Sequence, residues 1–316
     1  MPIMTSPGIE LCGHTLKEAV TDGTIHAEAI IKLNACYESD ASTAIMDLTV
    51  EAEAFGAKVV FADNEIPNVV GRLLIDADSV NRLQIPSLAT GRIREYLKAD
   101  SLANQKISDK PVFAGCSGPF TLAGRLYDLS ELLMAIYMEP ETVSLLLDKC
   151  TSFLIDYCRA IKQTGVEGVI MAEPAAGLIS NEDCLLYSTP YIKKIVEAVQ
   201  DDHFVIILHN CGNTGHCTQA MLETGTRGLH FGNKIDIVQV LDECPSDVLV
   251  MGNLDPVSVF KQSSAADVYK QTQQLLNKTA RYRNFILSSG CDVPPLIPFE
   301  NIKSFYDALD DYNDVC

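Results

Sequence analysis

The chain has 316 residues, 47% of them hydrophobic and 21% charged, with a formal net charge of −18. That composition supplies a large core, and so acidic a chain repels phosphate, which excludes nucleic acid and an anionic membrane as expected partners. No run of about 18 apolar residues marks a transmembrane helix, and the opening "MPIMTSPGIELCGHT" has no secretory-signal pattern.

Short apolar runs recur along the chain, each followed by Gly, Pro, Asn or an acid. In order they are "TAIMD" (43–47), "AKVVFAD" (57–63), "PVFAGC" (111–116), "EGVIMAE" (167–173), "HFVIILHN" (203–210), "RGLHFGN" (227–233), "DVLVMGN" (247–253) and "NFILSSGC" (284–291). Apolar at consecutive positions, they predict strands buried on both faces, as in a parallel sheet. Between them "DLSELLMAIYM", "PETVSLLLDKCTSFLIDYCRAIKQTG", "TPYIKKIVEAVQ" and "ADVYKQTQQLLNKT" carry apolar residues at helical steps. The second ends in Gly165, and the third opens with a Thr-Pro pair suited to a helix start. Eight strands alternating with helices predict a (β/α)8 TIM barrel, a single domain over 1–316. A doubly wound open sheet is the alternative, weakened because no Gly-x-Gly-x-x-Gly or Walker-type loop follows a strand.

The 11 cysteines are odd in number and scattered, unlike a secreted disulfide framework, so a cytoplasmic location is expected. Cys36, Cys150 and Cys158 lie in helical-looking patterns, Cys12, Cys184, Cys244 and Cys316 have no His or Cys partner in a metal spacing, and all seven read as ordinary residues, mostly small buried hydrophobes.

In a barrel, reacting groups sit just past the C-terminal ends of strands. "LHNCGNTGHC" (208–217) places two histidines and two cysteines there. His209 and Cys211 are two apart, so on a strand end they face the same way. Cys291, after "SSG", closes the last strand. One imidazole and two thiolates suit zinc, and three protein ligands with an open position are the pattern of a catalytic site. A packed histidine with two buried thiols is the bland alternative. His216 and Cys217 follow a Gly-Asn-Thr-Gly turn and are expected to start the next helix, facing away. Cys116 reads equally as core or as pocket lining. His230 reads as hydrogen-bonded core or a substrate contact. Glu173, an acid ending an apolar strand, is costly to bury unless donors or a charge meet it. It is expected at the metal, as a weak fourth ligand or bonded to one.

Five segments, "AGCSGPFTLAGRL" (114–126), "MAEPAAGLIS" (171–180), "LHNCG" (208–212), "GNLDP" (252–256) and "GCDVPPLIPFENI" (290–302), make the chain resemble the uroporphyrinogen decarboxylase superfamily over nearly its whole length. The resemblance is to its corrinoid-linked branch, the methylcobamide:coenzyme M methyltransferase type. It implies a zinc-dependent TIM barrel with the metal on His209, Cys211 and Cys291. It also implies methyl transfer from a methylated corrinoid, carried by a small corrinoid protein, to a small-molecule thiol such as coenzyme M. Glu173, Asn253 and Asp255 are then the expected catalytic residues, with His230 and Asp292 toward the corrinoid. Asp255 has a second reading, as a helix N-cap before Pro256. The metal-free decarboxylase alternative lacks its arginine-rich N-terminal segment here, since the first arginine is Arg72. A non-catalytic binding barrel is the third possibility.

Overall fold

A computed structural model describes residues 1–315, the last of them as backbone only; Cys316, expected to have no metal role, lies outside the described residues. Among the described residues nine strands form: β1 (Ser42–Thr43), β2 (Val59–Ala62), β3 (Glu65–Val69), β4 (Val112–Ser117), β5 (Gly168–Ala172), β6 (Val205–Asn210), β7 (Gly228–Phe231), β8 (Leu249–Leu254) and β9 (Phe285–Ser289). Seven of them make one sheet in the order β1-β4-β5-β6-β7-β8-β9, every neighbouring pair parallel. Six of the eight runs predicted from sequence are β4 to β9. Their apolar residues are consecutive because both faces are covered. Val169, Met171, Leu208 and Leu229 belong to the large core under the helices. Phe113, Ile170, Ile207 and Met251 point the other way and pack together with Met1, Ile3 and Ala41. Side chains from β4, β5, β6 and β8 meet on that inner face only because the sheet curls around it.

The expected eight-stranded barrel is corrected to a curled seven-stranded parallel sheet. Residues 57–63 do not enter it. β2 instead pairs antiparallel with β3, Val59 opposite Val69 and Val60 opposite Asn68, across the two-residue link Asp63–Asn64. Its residues alternate between half-buried and exposed, which a central strand would not. Pro67 in β3 cannot donate to a ladder, which fits a two-stranded hairpin. The predicted run 43–47 is also cut short. After Ala44 N bonds to Phe113 O, Ile45 N turns to His26 Nε2 at 2.9 Å and Met46 N to Thr5 Oγ1 at 3.0 Å. On the opposite edge, residues 1–5 lie along β9: Met1 N donates to Leu287 O (2.8 Å), Ile3 N to Ser289 Oγ (3.1 Å) and Val293 N to Ile3 O (3.1 Å).

The predicted helices form around the sheet. Pro140–Gln163 buries Val143, Leu146, Leu147, Cys150, Phe153, Leu154, Tyr157, Cys158 and Ile161, the three- and four-residue steps read from sequence, and it ends before Gly165 at φ 96°. Thr189–Val199 starts one residue earlier than the Thr-Pro reading, with Ser188 as cap. Leu129–Met138 is capped by Asp128, which accepts from Ser130 N and Glu131 N. Among the described residues no helix is long and apolar enough to cross a membrane.

Candidate metal centre

β6 ends in His209 and Asn210. Ile207 points into the curled sheet, so two-residue alternation sends His209 inward as well. Cys211 follows at the first turn. Cys291 comes from the loop after β9, where the chain passes so close to the loop after β7 that a Cβ on Gly290 would lie 2.6 Å from Asn233 N. Among the described residues, His209, Cys211 and Cys291 form a group whose ligand atoms all lie within 4.8 Å of one another. Cys291 Sγ is 3.7 Å from His209 Nε2. The two thiols interact directly: their shared hydrogen bond pulls Cys211 down to about 7 and pushes Cys291 up. Cys211 therefore ionises the more readily of the two, and a divalent cation bound to both sulfurs would displace the proton that Cys291 holds.

The protonation of His209 follows from a chain of contacts behind it. Ser288 Oγ lies 2.8 Å from Met1 O, a carbonyl that only accepts, so the hydroxyl proton is committed there. Ser288 Oγ must then accept from His230 Nε2, 2.8 Å away. Burial drives the His230 pKa well below the ordinary range, so the ring is neutral and its Nδ1 carries a lone pair. That lone pair accepts from His209 Nδ1, 2.7 Å away. His209 is therefore the Nδ1–H tautomer, with the Nε2 lone pair facing Cys291. This is the form a metal-ligating histidine needs, held by a partner on its other nitrogen.

The other expected site residues are held differently. Glu173 is not part of the metal-competent group. Its Oε1 accepts from Phe120 N at 2.7 Å and from Thr121 N at 3.2 Å, at the start of the helix Pro119–Tyr127. The approach is so close that a Cβ on Gly118 would sit 1.7 Å from Oε2. The carboxyl lies on the helix side of the sheet, and the expectation of a fourth ligand is corrected accordingly: the donors its burial demands are two backbone amides. Even so, burial outweighs those bonds and raises its pKa to about 8. Asp255 takes its second reading. It caps Pro256–Lys261 by accepting from Val257 N (2.8 Å) and Ser258 N (3.0 Å), and its other oxygen accepts from Asn233 Nδ2 (2.8 Å). Asn253 donates from Nδ2 to Gly232 O (2.9 Å) and Ile235 O (2.8 Å), fixing the loop after β7. Asp292 accepts from Thr5 N at 2.8 Å, and burial raises its pKa to about 6. His230 is the one of these brought into contact with the group.

His216 and Cys217 face away, as expected. His216 Nε2 contacts Ile179 O at 3.0 Å, and Cys217 Sγ lies 3.5 Å from Cys184 Sγ in the helix layer. Cys116 is core. Sequence reasoning missed Ser288, whose only signal was its inward position on β9. It also missed Arg125, which lines a cavity of roughly 430 Å³ together with Thr121, Gly124, Asp128, Pro174, Cys211 and Gly212. This cavity opens at the C-terminal ends of β4, β5 and β6 and reaches the metal-competent group at Cys211.

The uroporphyrinogen decarboxylase (URO-D) family model matches residues 3–312. The chain belongs to this family. Among curated proteins it is 28% identical over 270 residues to the methylcobamide:CoM methyltransferase MtbA of Methanosarcina acetivorans, covering 84% of this chain and 78% of that one. The corresponding protein of Methanosarcina mazei is 29% identical with the same coverage. A uroporphyrinogen decarboxylase of Hamiltonella defensa is 24% identical over 284 residues, covering 86% and 78%. Among solved structures, a methyltransferase from Methanosarcina mazei superposes with a TM-score of 0.89 at 22% identity, over 99% of this chain and 94% of that one. A B12-independent methionine synthase from Shewanella sp. W3-18-1 gives 0.63 at 13% identity, over 100% and 98%. At those identities the two structures speak for the fold alone.

Proposed function

We propose that this member of the family is a corrinoid-dependent methyltransferase that carries zinc on His209, Cys211 and Cys291 and passes a methyl group to a small thiol. The observation that carries the reading is the convergence of one imidazole and two thiols within 4.8 Å. The donor set fits the metal on three counts. His209 presents a lone pair at Nε2, the contact with Cys291 makes Cys211 easier to ionise than an ordinary thiol, and a cavity adjoins Cys211, where a further ligand can enter. The similarity to methylcobamide:CoM methyltransferases supports the direction of transfer.

Zinc bound to these three groups would make an entering thiol ionise near neutral pH while its sulfur stays nucleophilic, because two thiolates and a neutral imidazole leave the bound ion with no net positive charge. The chain's own residues do the rest. His230 and Ser288 fix the tautomer and direction of the His209 ring. The tight passage at Gly290 brings Cys291 across from β9 to β6. The cavity beside Cys211 receives the thiol from the C-terminal end of the sheet, and a corrinoid-binding protein would bring the methyl donor to that same end.

The decarboxylase reading draws on relatives of 24% and 25% identity and gives the imidazole and two thiols no task. The discriminating experiment is metal analysis of protein purified without chelator, followed by demethylation of methylcobalamin by 2-mercaptoethanesulfonate, read in the visible spectrum. One zinc per chain and a spectral change that stops on chelation and returns with zinc support the proposal. Metal-free protein that shows no demethylation after zinc is supplied contradicts it.

A further inference from the structure

Two thiols outside the metal centre meet beside the loop that carries Cys211. Cys184, on the helix Asn181–Tyr187, and Cys217, which precedes the helix Thr218–Leu222, put their Sγ atoms 3.5 Å apart, both buried. That is direct contact between sulfurs. Each also meets a carbonyl of the segment after β5: Cys184 Sγ is 3.0 Å from Ala176 O, and Cys217 Sγ is 3.5 Å from Ile179 O. The pair borders a cavity of about 20 Å³ whose polar lining is Glu173, Ser188, Thr189, Asn210 and Thr224. A polar space of that size holds a water-sized molecule, and hydrogen peroxide is little larger. Because Cys184 donates toward Cys217, the Cys217 thiol is pulled below its ordinary range and the Cys184 thiol pushed up. That asymmetry suits one attacking and one resolving thiol.

Cys217 closes the loop that Cys211 opens, and that loop is bonded to itself along its length. Asn210 Oδ1 accepts from Gly212 N and Asn213 N, both at 3.0 Å, and Asn213 Oδ1 accepts from Gly215 N (2.9 Å) and Cys217 N (3.1 Å). The loop also lies hard against the segment after β5, where a Cβ on Gly177 would come within 2.3 Å of Gly212 C. A movement of Cys217 is therefore passed along residues 211–217, with no free space on that side to absorb it.

We propose that Cys184 and Cys217 are a site of reversible oxidation, closed to a disulfide by hydrogen peroxide, and that closure weakens the neighbouring loop's hold on the metal. In the first step the Cys217 sulfur attacks one peroxide oxygen and the O–O bond breaks. The thiol proton leaves with the departing hydroxide as water, and Cys217 becomes a sulfenic acid. In the second step the Cys184 sulfur displaces that hydroxyl, its own proton completes a second water, and the S–S bond forms. The two sulfurs lose two electrons and the peroxide gains them. An added dithiol reverses the link by exchange, its own two thiols becoming a disulfide. Bonded sulfurs lie about 2.0 Å apart, so the pair must close by about 1.5 Å from its 3.5 Å contact. Metal-ligand distances tolerate only about 0.2 Å, so a fraction of that movement reaching Cys211 weakens zinc binding. The link itself is independent of the zinc reading above, while its effect on the metal rests on that reading.

The test treats zinc-loaded protein with a small excess of hydrogen peroxide, so that the ion shields Cys211 and Cys291, and maps linked peptides by mass spectrometry after alkylation and digestion. The expected product is a Cys184–Cys217 link, removed by dithiothreitol and absent from Cys184→Ala and from the milder Cys184→Ser. Chelator competition on the same samples should show zinc held about 10-fold more weakly after oxidation. Reduction should restore the affinity, and peroxide should leave that of either Cys184 variant unchanged. Oxidation that falls on other cysteines and leaves Cys184 and Cys217 as free thiols overturns the proposal. A Cys184–Cys217 link with unchanged zinc affinity overturns the coupling to the metal. A link formed in protein that binds no zinc at all supports the oxidation site, and the zinc reading is then what fails.

Discussion

His209 and His230, directly opposite one another on β6 and β7, place their Nδ1 atoms 2.7 Å apart, and this contact fixes which nitrogen of His209 is free. Two unprotonated nitrogens would repel at that distance, so one ring must donate. The Ser288 hydroxyl, committed to Met1 O, makes it His209. His230 is thus a positioning residue for the metal centre. His230→Ala should lower zinc affinity about 10–100-fold, the usual cost of losing such a partner. Ser288→Ala should cost less, since His230 can still accept at Nδ1. Chelator-competition titration measures both, and unchanged affinity in His230→Ala would show that the contact only packs the core.

The cysteines near the end of β6 and after β9 should divide into ligands and bystanders. Cys211→Ala and Cys291→Ala should each lose the zinc of the purified protein. Cys217→Ala should retain it, because Cys217 Sγ is 3.5 Å from Cys184 in the helix layer. Metal content by atomic emission decides this, and equal loss from all three would mean that the ion sits elsewhere.

Glu173→Gln should keep the metal and its affinity. The glutamine carbonyl can still accept from Phe120 N and Thr121 N, so unfolding should shift by no more than about 1–2 kcal/mol, the scale of a weakened helix cap. Denaturant unfolding and zinc titration on the same variant give both numbers. A large fall in zinc affinity with unchanged stability would return Glu173 to the metal.

Asp100, on the helix Ile93–Lys106, is buried with Oδ1 unpartnered, and burial raises its pKa to about 8. The folded state therefore holds a proton that the unfolded chain releases near pH 4. Stability from this group is present below the unfolded value and falls as pH rises from about 4 to about 8. Asp100→Asn cannot titrate. It should be more stable than the unaltered chain at pH 8, and the pH slope of its unfolding free energy between 5 and 8 should be shallower by up to about 1.4 kcal/mol per unit. Equal slopes would place a compensating donor beside the carboxyl.

The sequence was most legible where burial is symmetric. β4 to β9 announce themselves because Val169–Ala172 or Ile206–Leu208 are apolar on both faces. Residues 57–63 carry the same kind of run yet form a hairpin. The Asp63–Asn64 link and Pro67 were the signals for it, and a count of apolar residues does not weigh them. At the site, alternation from Ile207 through His209 to Cys211 could be read directly. So could Asp255 as a cap before Pro256. Alternation also speaks against Glu173: Ile170 points inward, so Met171 and Glu173 point outward. The His230–Ser288 contact spans 58 positions and depends on the register of three strands, which local pattern does not encode. Arg125 was invisible for a different reason, since which side chains line a cavity is a property of the fold.

Three side chains binding one zinc that accepts a thiol sulfur underlie the proposed methyl transfer. X-ray absorption at the zinc edge, on purified protein before and after adding 2-mercaptoethanesulfonate, tests that most directly. The predicted result is a first shell of two sulfurs and one imidazole nitrogen with light-atom density besides, changing to three sulfurs when the thiol is added. A shell without sulfur, or two sulfurs that stay two after the thiol is added, would contradict it.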